Sequence, residues 1–341
     1  MLTTPSRPLG RLLPLAVAAA VSSLLSCAAD PLPAVDLASH PDEAEVRFAV
    51  IGDFGREGPD VRRVSERVRS WDVDMIITTG DNNYEVGHLR SFDDNVGQYY
   101  CDYIYNPDAP YLYRCGGDAW RDSVNRFFPS VGNHDYGSRK GIEPYLTYFT
   151  LPGNEVYYAF QWGPVAFYAL DSERAETFAE QRRWLADERA RRDADGARYH
   201  VAYFHRPPYS SGSHGDYAGM QWDFDALGVD LVLAGHEHDY QRVVPPGDPR
   251  AVYIVNGAGG TSLRHDCGVS ATPAEVVACT DDRHGALLVE ADAERMTVRF
   301  GTAGGAWLDE VVVEPTSPQR DVPNPVPGPD APLPADVTLS E

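Results

Sequence analysis

Lysine is nearly missing from this 341-residue chain: Lys140 stands alone, and 51 acidic residues outnumber all 29 basic ones for a net charge of −22. That balance argues against nucleic acid as a partner, because phosphate backbones are bound by clustered Lys and Arg. It also repels small anions unless bound cations offset it locally. Cysteine is scarce, with five residues and no C-x-x-C spacing, so a thiolate metal site is not indicated. No G-x-S-x-G occurs, which removes the serine elbow of hydrolases that form a covalent intermediate. Long apolar runs are lacking too. The stretch from Leu12 to Leu25 falls short of the ~20 residues a membrane helix needs.

That stretch follows Arg7 and Arg11 and ends in Leu24-Leu25-Ser26-Cys27, the layout of an export signal. The ending resembles the bacterial lipobox, in which the Cys is lipidated and becomes the mature N-terminus. Ordinary cleavage around Ser26-Cys27-Ala28 is the alternative. The expected organisation is a lipoprotein signal peptide at 1–26, a flexible tether at 27–45, a catalytic domain at 46–314 and a disordered Pro-rich tail at 315–341. Removing 1–26 leaves 27 basic against 51 acidic residues. The expected location is the cell envelope, with Cys27 anchored in the membrane, or the exterior if the chain is simply secreted. Four cysteines remain in that oxidising setting, and of three connectivities Cys101–Cys115 with Cys267–Cys279 closes the shortest loops.

Between Val46 and Glu314 apolar runs and amphipathic stretches alternate. The patterns predict strands near 46–51, 74–79, 156–161, 164–170, 199–204 and 230–234, and a strand ending at Val131. Helices are predicted near 59–70, 119–127, 176–191 and 217–226. The last part, with runs at 252–256, 286–290, 296–300 and 311–313, reads as antiparallel strands. Parallel βαβ units followed by meandering strands imply two sheets packed face to face with helices outside. The stretch from Glu85 to Ala119 reads as an irregular insertion. Its six tyrosines between Tyr99 and Tyr113 are as consistent with a substrate-facing rim as with a self-packed loop.

Acids and imidazoles stand where the apolar runs end: Asp53 after Phe48–Ile51, Asp81 after Met75–Ile77, His205 after Val201–Phe204, and His236 with His238 after Leu231–Ala234. Open α/β sheets place their sites at that edge. A lone Asp after a strand is usually a cap or turn former, and a lone His is usually structural, as His40, His88, His200, His265 and His284 are taken to be. Two Gly-Asp steps followed by Gly132-Asn133-His134-Asp135 and Gly235-His236-Glu237-His238 are hard to explain that way. Oxygen and nitrogen donors without sulfur suit two hard or borderline metal ions. Asp81 is the candidate bridge, Asp53 a terminal ligand and Asn133 a neutral oxygen donor.

These motifs resemble the calcineurin-like metallophosphoesterase superfamily, and specifically its purple acid phosphatase branch. Most of the superfamily begins with Asp-x-His, whereas this chain has Asp53-Phe54-Gly55. The branch replaces that His by a Tyr three residues after the bridging Asp, and Tyr84 stands there. The resemblance implies a four-layer α/β/β/α sandwich of two packed mixed sheets with outer helices. It implies an iron(III) held by Asp53, Asp81, Tyr84 and His238, beside a divalent iron, zinc or manganese held by Asp81, Asn133, His205 and His236. His134 and His214 would face substrate, with Asp135 orienting His134. The implied reaction is hydrolysis of a small phosphomonoester by metal-bound hydroxide. A phosphodiesterase or nucleotidase on the same scaffold, and a non-catalytic surface-binding lipoprotein, are the alternatives.

Overall fold

In the computed structural model the described residues are 1, 40, 42–106, 124–247 and 249–315. The expected signal peptide, Cys27, Cys115 and the Pro-rich tail beyond residue 315 lie outside them.

A six-stranded sheet begins with β1 (Glu45–Ile51), β2 (Met75–Thr78) and β3 (Phe127–Pro129), paired in parallel. A seven-stranded sheet takes β4 (Tyr158–Trp162), β5 (Val165–Ala169), β6 (Tyr199–Tyr203), β7 (Leu231–Ala234), β8 (Tyr240–Val244), β9 (Val252–Asn256) and β10 (Glu275–Thr280), in the order 10-8-9-7-6-5-4. The chain then returns to the first sheet with β11 (Gly285–Asp292), β12 (Met296–Thr302) and β13 (Trp307–Val313), giving the order 13-12-11-1-2-3. Both sheets are mixed, as the alternation of βαβ and meander patterns predicted.

The strand β5 shows why the second sheet is a middle layer. Val165, Phe167 and Ala169 join the core between the sheets, while Ala166 and Tyr168 join a second core on the outer face. A strand apolar on both faces is what two-sided cover requires. Across the sheets, Phe48 meets Phe167 edge-on at 5.0 Å and Phe128 stacks on Phe160 at 4.0 Å. Outside, α5 (Phe178–Ala194) covers the second sheet through Phe178 and Leu185. On the first sheet α1 (Pro59–Arg69) buries Val61, Val64 and Val68, one face at helical spacing, with Pro59 at its first turn.

Several expectations fail. No helix forms over 217–226; only a 3₁₀ turn spans Ala218–Met220, because the amides of Met220, Gln221 and Trp222 bond to carbonyls two or three residues back rather than four. The segment before β3 is not helical at 124–126 either, and the rest of that predicted helix lies outside the described residues. The presumed irregular insertion opens instead with α2 (Leu89–Phe92), a π turn at Asp93–Gly97 and α3 (Gln98–Tyr100). Its Tyr99, Tyr100 and Tyr103 are buried in the main core rather than forming a rim. A short helix, α4 (Glu143–Tyr148), and the strands β8 and β10 lie outside the predicted elements. Cys267 and Cys279 are joined as expected, with Cα atoms 6.1 Å apart, and Cys101 is also disulfide-bonded.

Candidate metal centre

The two sheets meet at one edge, and each delivers a different chemistry there. The loops after β1, β2 and β3 carry Asp53, Asp81, Tyr84 and Asn133; those after β6 and β7 carry His205, His236 and His238. The loops after β1 and β2 are joined to each other, with Asp53 N donating to the Gly80 carbonyl at 3.2 Å and Tyr84 N to the Gly55 carbonyl at 2.7 Å. A Cβ on Gly55 would lie 2.1 Å from the Asn82 backbone carbon. Position 55 therefore accepts no side chain, and Tyr84 comes into the site from the facing loop. Asp53, Asp81 and His236 have φ values of 52°, 51° and 71°, the left-handed region that non-Gly residues avoid. Backbone strain of this kind gathers at functional sites.

Each carboxylate commits one oxygen to a backbone amide and leaves the other facing inward. Asp53 Oδ2 accepts from His236 N at 2.8 Å, and Asp81 Oδ1 from His134 N at 2.9 Å. The free oxygens, Asp53 Oδ1 and Asp81 Oδ2, each lie 3.0 Å from the Tyr84 hydroxyl. His238 Nε2 is 3.2 Å from that hydroxyl and 3.4 Å from Asp53 Oδ1. On the other side His205 Nε2 lies 2.9 Å from Asn133 Oδ1, 3.0 Å from His236 Nδ1 and 3.4 Å from Asp81 Oδ2. Asp81 Oδ2 is thus shared by two groups of donor atoms, one rich in oxygen and one in nitrogen.

The tautomers decide what these groups can hold. His205 Nδ1 donates to the Thr79 carbonyl at 2.9 Å and His238 Nδ1 to the Ser262 carbonyl at 2.8 Å. A carbonyl only accepts, so in each neutral ring the Nε2 lone pair points into the cluster. His205 Nε2 meets carboxylate and amide oxygens there, and His238 Nε2 shares the single Tyr84 hydroxyl hydrogen with the Asp53 and Asp81 oxygens. Such a convergence of lone pairs is unfavourable unless a cation stands among them. The residues fit a metal centre on that ground, and Asp53, Asp81 and His205 bring ligand atoms within 4.8 Å of one another. Protonation answers the same need. Burial opposes charge on His205, but Asp81 and Asp53 outweigh it and raise its pKa to about 10. Burial likewise opposes charge on Asp81, yet His205 and His134 hold its carboxyl below the ordinary range. Burial and then the two Asp push the Tyr84 phenol well up. His236, buried and beside His205 and His214, is pushed well down.

The two remaining imidazoles flank the cluster. His134 is half-buried with its ring 4.3 Å from that of Tyr84. His214 is exposed, its ring 4.1 Å from that of His236, and its Nδ1 donates to Glu237 at 3.1 Å. Glu237, which the motif treats as a spacer, is fully buried and also accepts from the amides of His214 and Gly215. Asp135 does not orient His134. It is buried beneath the loops, accepting from Gly132 N at 2.9 Å and from Asn82 N and Nδ2, while His134 Nδ1 turns to the Glu85 carbonyl. Burial raises Asp135 to about 7. Its carboxylate is drawn inward by the amides of Gly132 and Asn82 and the Asn82 side chain. Of the histidines taken as structural, His200 is a satisfied core residue on Tyr168 and Asp193.

The sequence profile of the calcineurin-like phosphoesterases matches residues 46–240, a span holding every residue of both donor groups. The chain belongs to that family. Its relatives in this phosphoesterase family include purple acid phosphatase 15 of Arabidopsis thaliana, 29% identical over 253 residues that cover 65% of this chain and 46% of that protein. Purple acid phosphatase 23 of the same plant is 27% identical over 74% of this chain and 60% of its own length. The phosphoesterase therefore spans only about half the length of the first relative and three-fifths of the second. Among solved structures, the yellow lupin purple acid phosphatase PPD1 superposes with a TM-score of 0.59 at 17% identity, over 81% of this chain and 55% of that one. GAP50, the anchor in the inner membrane complex of Plasmodium, gives the same TM-score at 16% identity, over 80% and 90%. At such identities these likenesses concern the fold alone, and the fold of a phosphatase and of an anchor is the same.

Proposed function

We propose that this phosphoesterase is an acid phosphatase that hydrolyses phosphomonoesters at a dinuclear metal centre. The observation that carries the reading is the pair of donor groups sharing Asp81 Oδ2. Asp53, Asp81, Tyr84 and His238 would hold a trivalent iron, for which a phenolate is a suitable hard donor. Asp81, Asn133, His205 and His236 would hold a divalent iron, zinc or manganese. When bound, the two ions supply charge neutralisation of the phosphoryl group and acidify a water molecule. The protein's own part is placement and proton transfer. Asn133 contributes an oxygen without charge, so the second site remains attractive to an anion. His134 and His214, on either side of the cluster, receive the substrate. Burial holds the His134 pKa below its ordinary value, so the ring carries a proton for the leaving alkoxide only on the acid side of neutrality.

Metal content, a visible spectrum and rates on a phosphomonoester and a diester, measured on one preparation, test the reading. Two metals, a coloured oxidised protein and a faster monoester reaction below pH 7 are expected. Faster diester turnover would move the assignment to a phosphodiesterase, and two metals without turnover to a binding protein. For location we propose, on sequence alone, lipid anchoring at Cys27. Cys27→Ser should release the activity from the membrane fraction, since acyl chains anchor stably where none would hold; unchanged association would exclude this anchor.

A further inference from the structure

His214 is exposed, yet the loop that carries it is anchored at every residue. Each backbone amide from Ser210 to Gly215 has an acceptor. Four of these six bonds go to buried side chains far away in sequence. Gln241 takes Ser211 N at 2.9 Å and Asp266 takes Ser213 N at 2.9 Å, while Glu237 takes His214 N and Gly215 N at 2.8 and 3.0 Å. A surface loop ordinarily leaves such amides to water and keeps its mobility. Here the ordering is complete on folding, so little entropy remains to be lost when His214 meets a ligand.

Only one of these braces also reaches the ring. Glu237 Oε1 accepts both amides, and its Oε2 accepts from His214 Nδ1 at 3.1 Å. The loop comes down directly on that carboxylate: a Cβ on Gly212 would lie 2.5 Å from Glu237 Cδ. A carboxylate oxygen accepts, so Nδ1 carries the ring proton and Nε2 is the nitrogen left over. Nε2 has no hydrogen-bond partner among the described residues, and the side chain is 31% exposed. Three successive residues thus serve the site, with His236 and His238 in the donor groups and Glu237 under the ring that flanks them.

We propose that Glu237 is a positioning residue for the phosphoester reaction: it holds His214 in one orientation and one tautomer, with Nε2 offered to the substrate. The proposal rests on the reading of His214 as substrate-facing, and a measurement without turnover keeps the two apart. Glu237→Gln separates the ring from the loop. Its Oε1 still accepts the two backbone amides, but its NH2 group meets Nδ1, so the ring must turn away or move its proton to Nε2. With both metals retained, kcat/KM on a phosphomonoester should fall by roughly tenfold to a hundredfold, the scale on which an imidazole loses its orienting partner. The double variant Glu237→Gln/His214→Ala should be no slower than His214→Ala alone, because Glu237 acts only through that ring. A wild-type rate in Glu237→Gln would reduce Glu237 to a brace for the loop, and multiplied losses in the double variant or loss of a metal would equally overturn the proposal. Nitrogen-15 NMR of the zinc-loaded protein, with His214 identified by its absence from His214→Ala, reads the tautomer directly. The proton should be on Nδ1 in wild type and not in Glu237→Gln; a wild-type proton on Nε2 would overturn the proposal whatever the rates. The expected tautomers in a protein that hydrolyses no phosphoester would keep the anchoring of the ring and remove the phosphatase reading.

Discussion

The two sheets differ in what they bring to their common edge. The six-stranded sheet supplies carboxylates, a phenol and an amide oxygen; the seven-stranded sheet supplies imidazoles. Neither collection is a metal site alone. The oxygen side, without a cation, is a cluster of lone pairs, and the three imidazoles are divided between the two donor groups, so neither sheet completes either group. Packing one sheet on the other is therefore what makes the centre, and the aromatic contacts between them, such as Phe48 on Phe167, hold it closed. Asp81 belongs to both donor groups through Oδ2.

Asp81→Asn should break that comparison most severely. Both metals should be lost, with activity falling by roughly 10³-fold or more, since each ion contributes several kcal/mol to charge stabilisation. Metal analysis checks it, and a variant that retained two ions would remove the shared ligand. Substitutions confined to one sheet should separate the halves. His236→Ala is expected to lose one metal and nearly all turnover while the protein stays folded. Tyr84→Phe should bleach the visible band and only reduce the rate. If His236→Ala bleached the colour and Tyr84→Phe did not, the assignment of iron to the oxygen side would be reversed.

His134→Ala and His214→Ala sharpen the contrast between holding metal and touching substrate. Each should keep two metals and lose roughly 10²-fold in rate. Metal loss in the His214 variant would put that residue among the ligands. The smallest expected effect is a pH dependence of metal uptake. A His205 pKa of about 10 keeps that ring protonated in the metal-free protein at every lower pH. A divalent ion entering the nitrogen side must displace that proton, so its affinity should rise by about tenfold per pH unit. Competition titrations at pH 6, 7 and 8 measure this, and a flat result would mean that the ring is neutral before the ion arrives.

The convergence of the candidate ligands was legible because a buried apolar run followed by Gly-Asp or Gly-His fixes where a side chain emerges from a parallel sheet. Tyr84 was legible only through the resemblance, which pairs a Tyr three residues after the bridging Asp with a Gly at position 55. What escaped depends on direction rather than identity. Asp135 adjoins His134 in sequence but faces the other way, and Glu237 hid between two conspicuous histidines. The carbonyls of Thr79 and Ser262, which set both tautomers, are backbone atoms and leave no trace in residue type. No unbroken apolar run marks β8, because the polar Gln241 is buried in it, bonded to Asp239 and Ser210.

The collision at Gly55 ties two distant loops together. The facing loop lies 2.1 Å from where a side chain at position 55 would begin. A histidine there would push aside the loop that carries Tyr84, so in this chain a donor from the first loop and one from the second compete for a single volume.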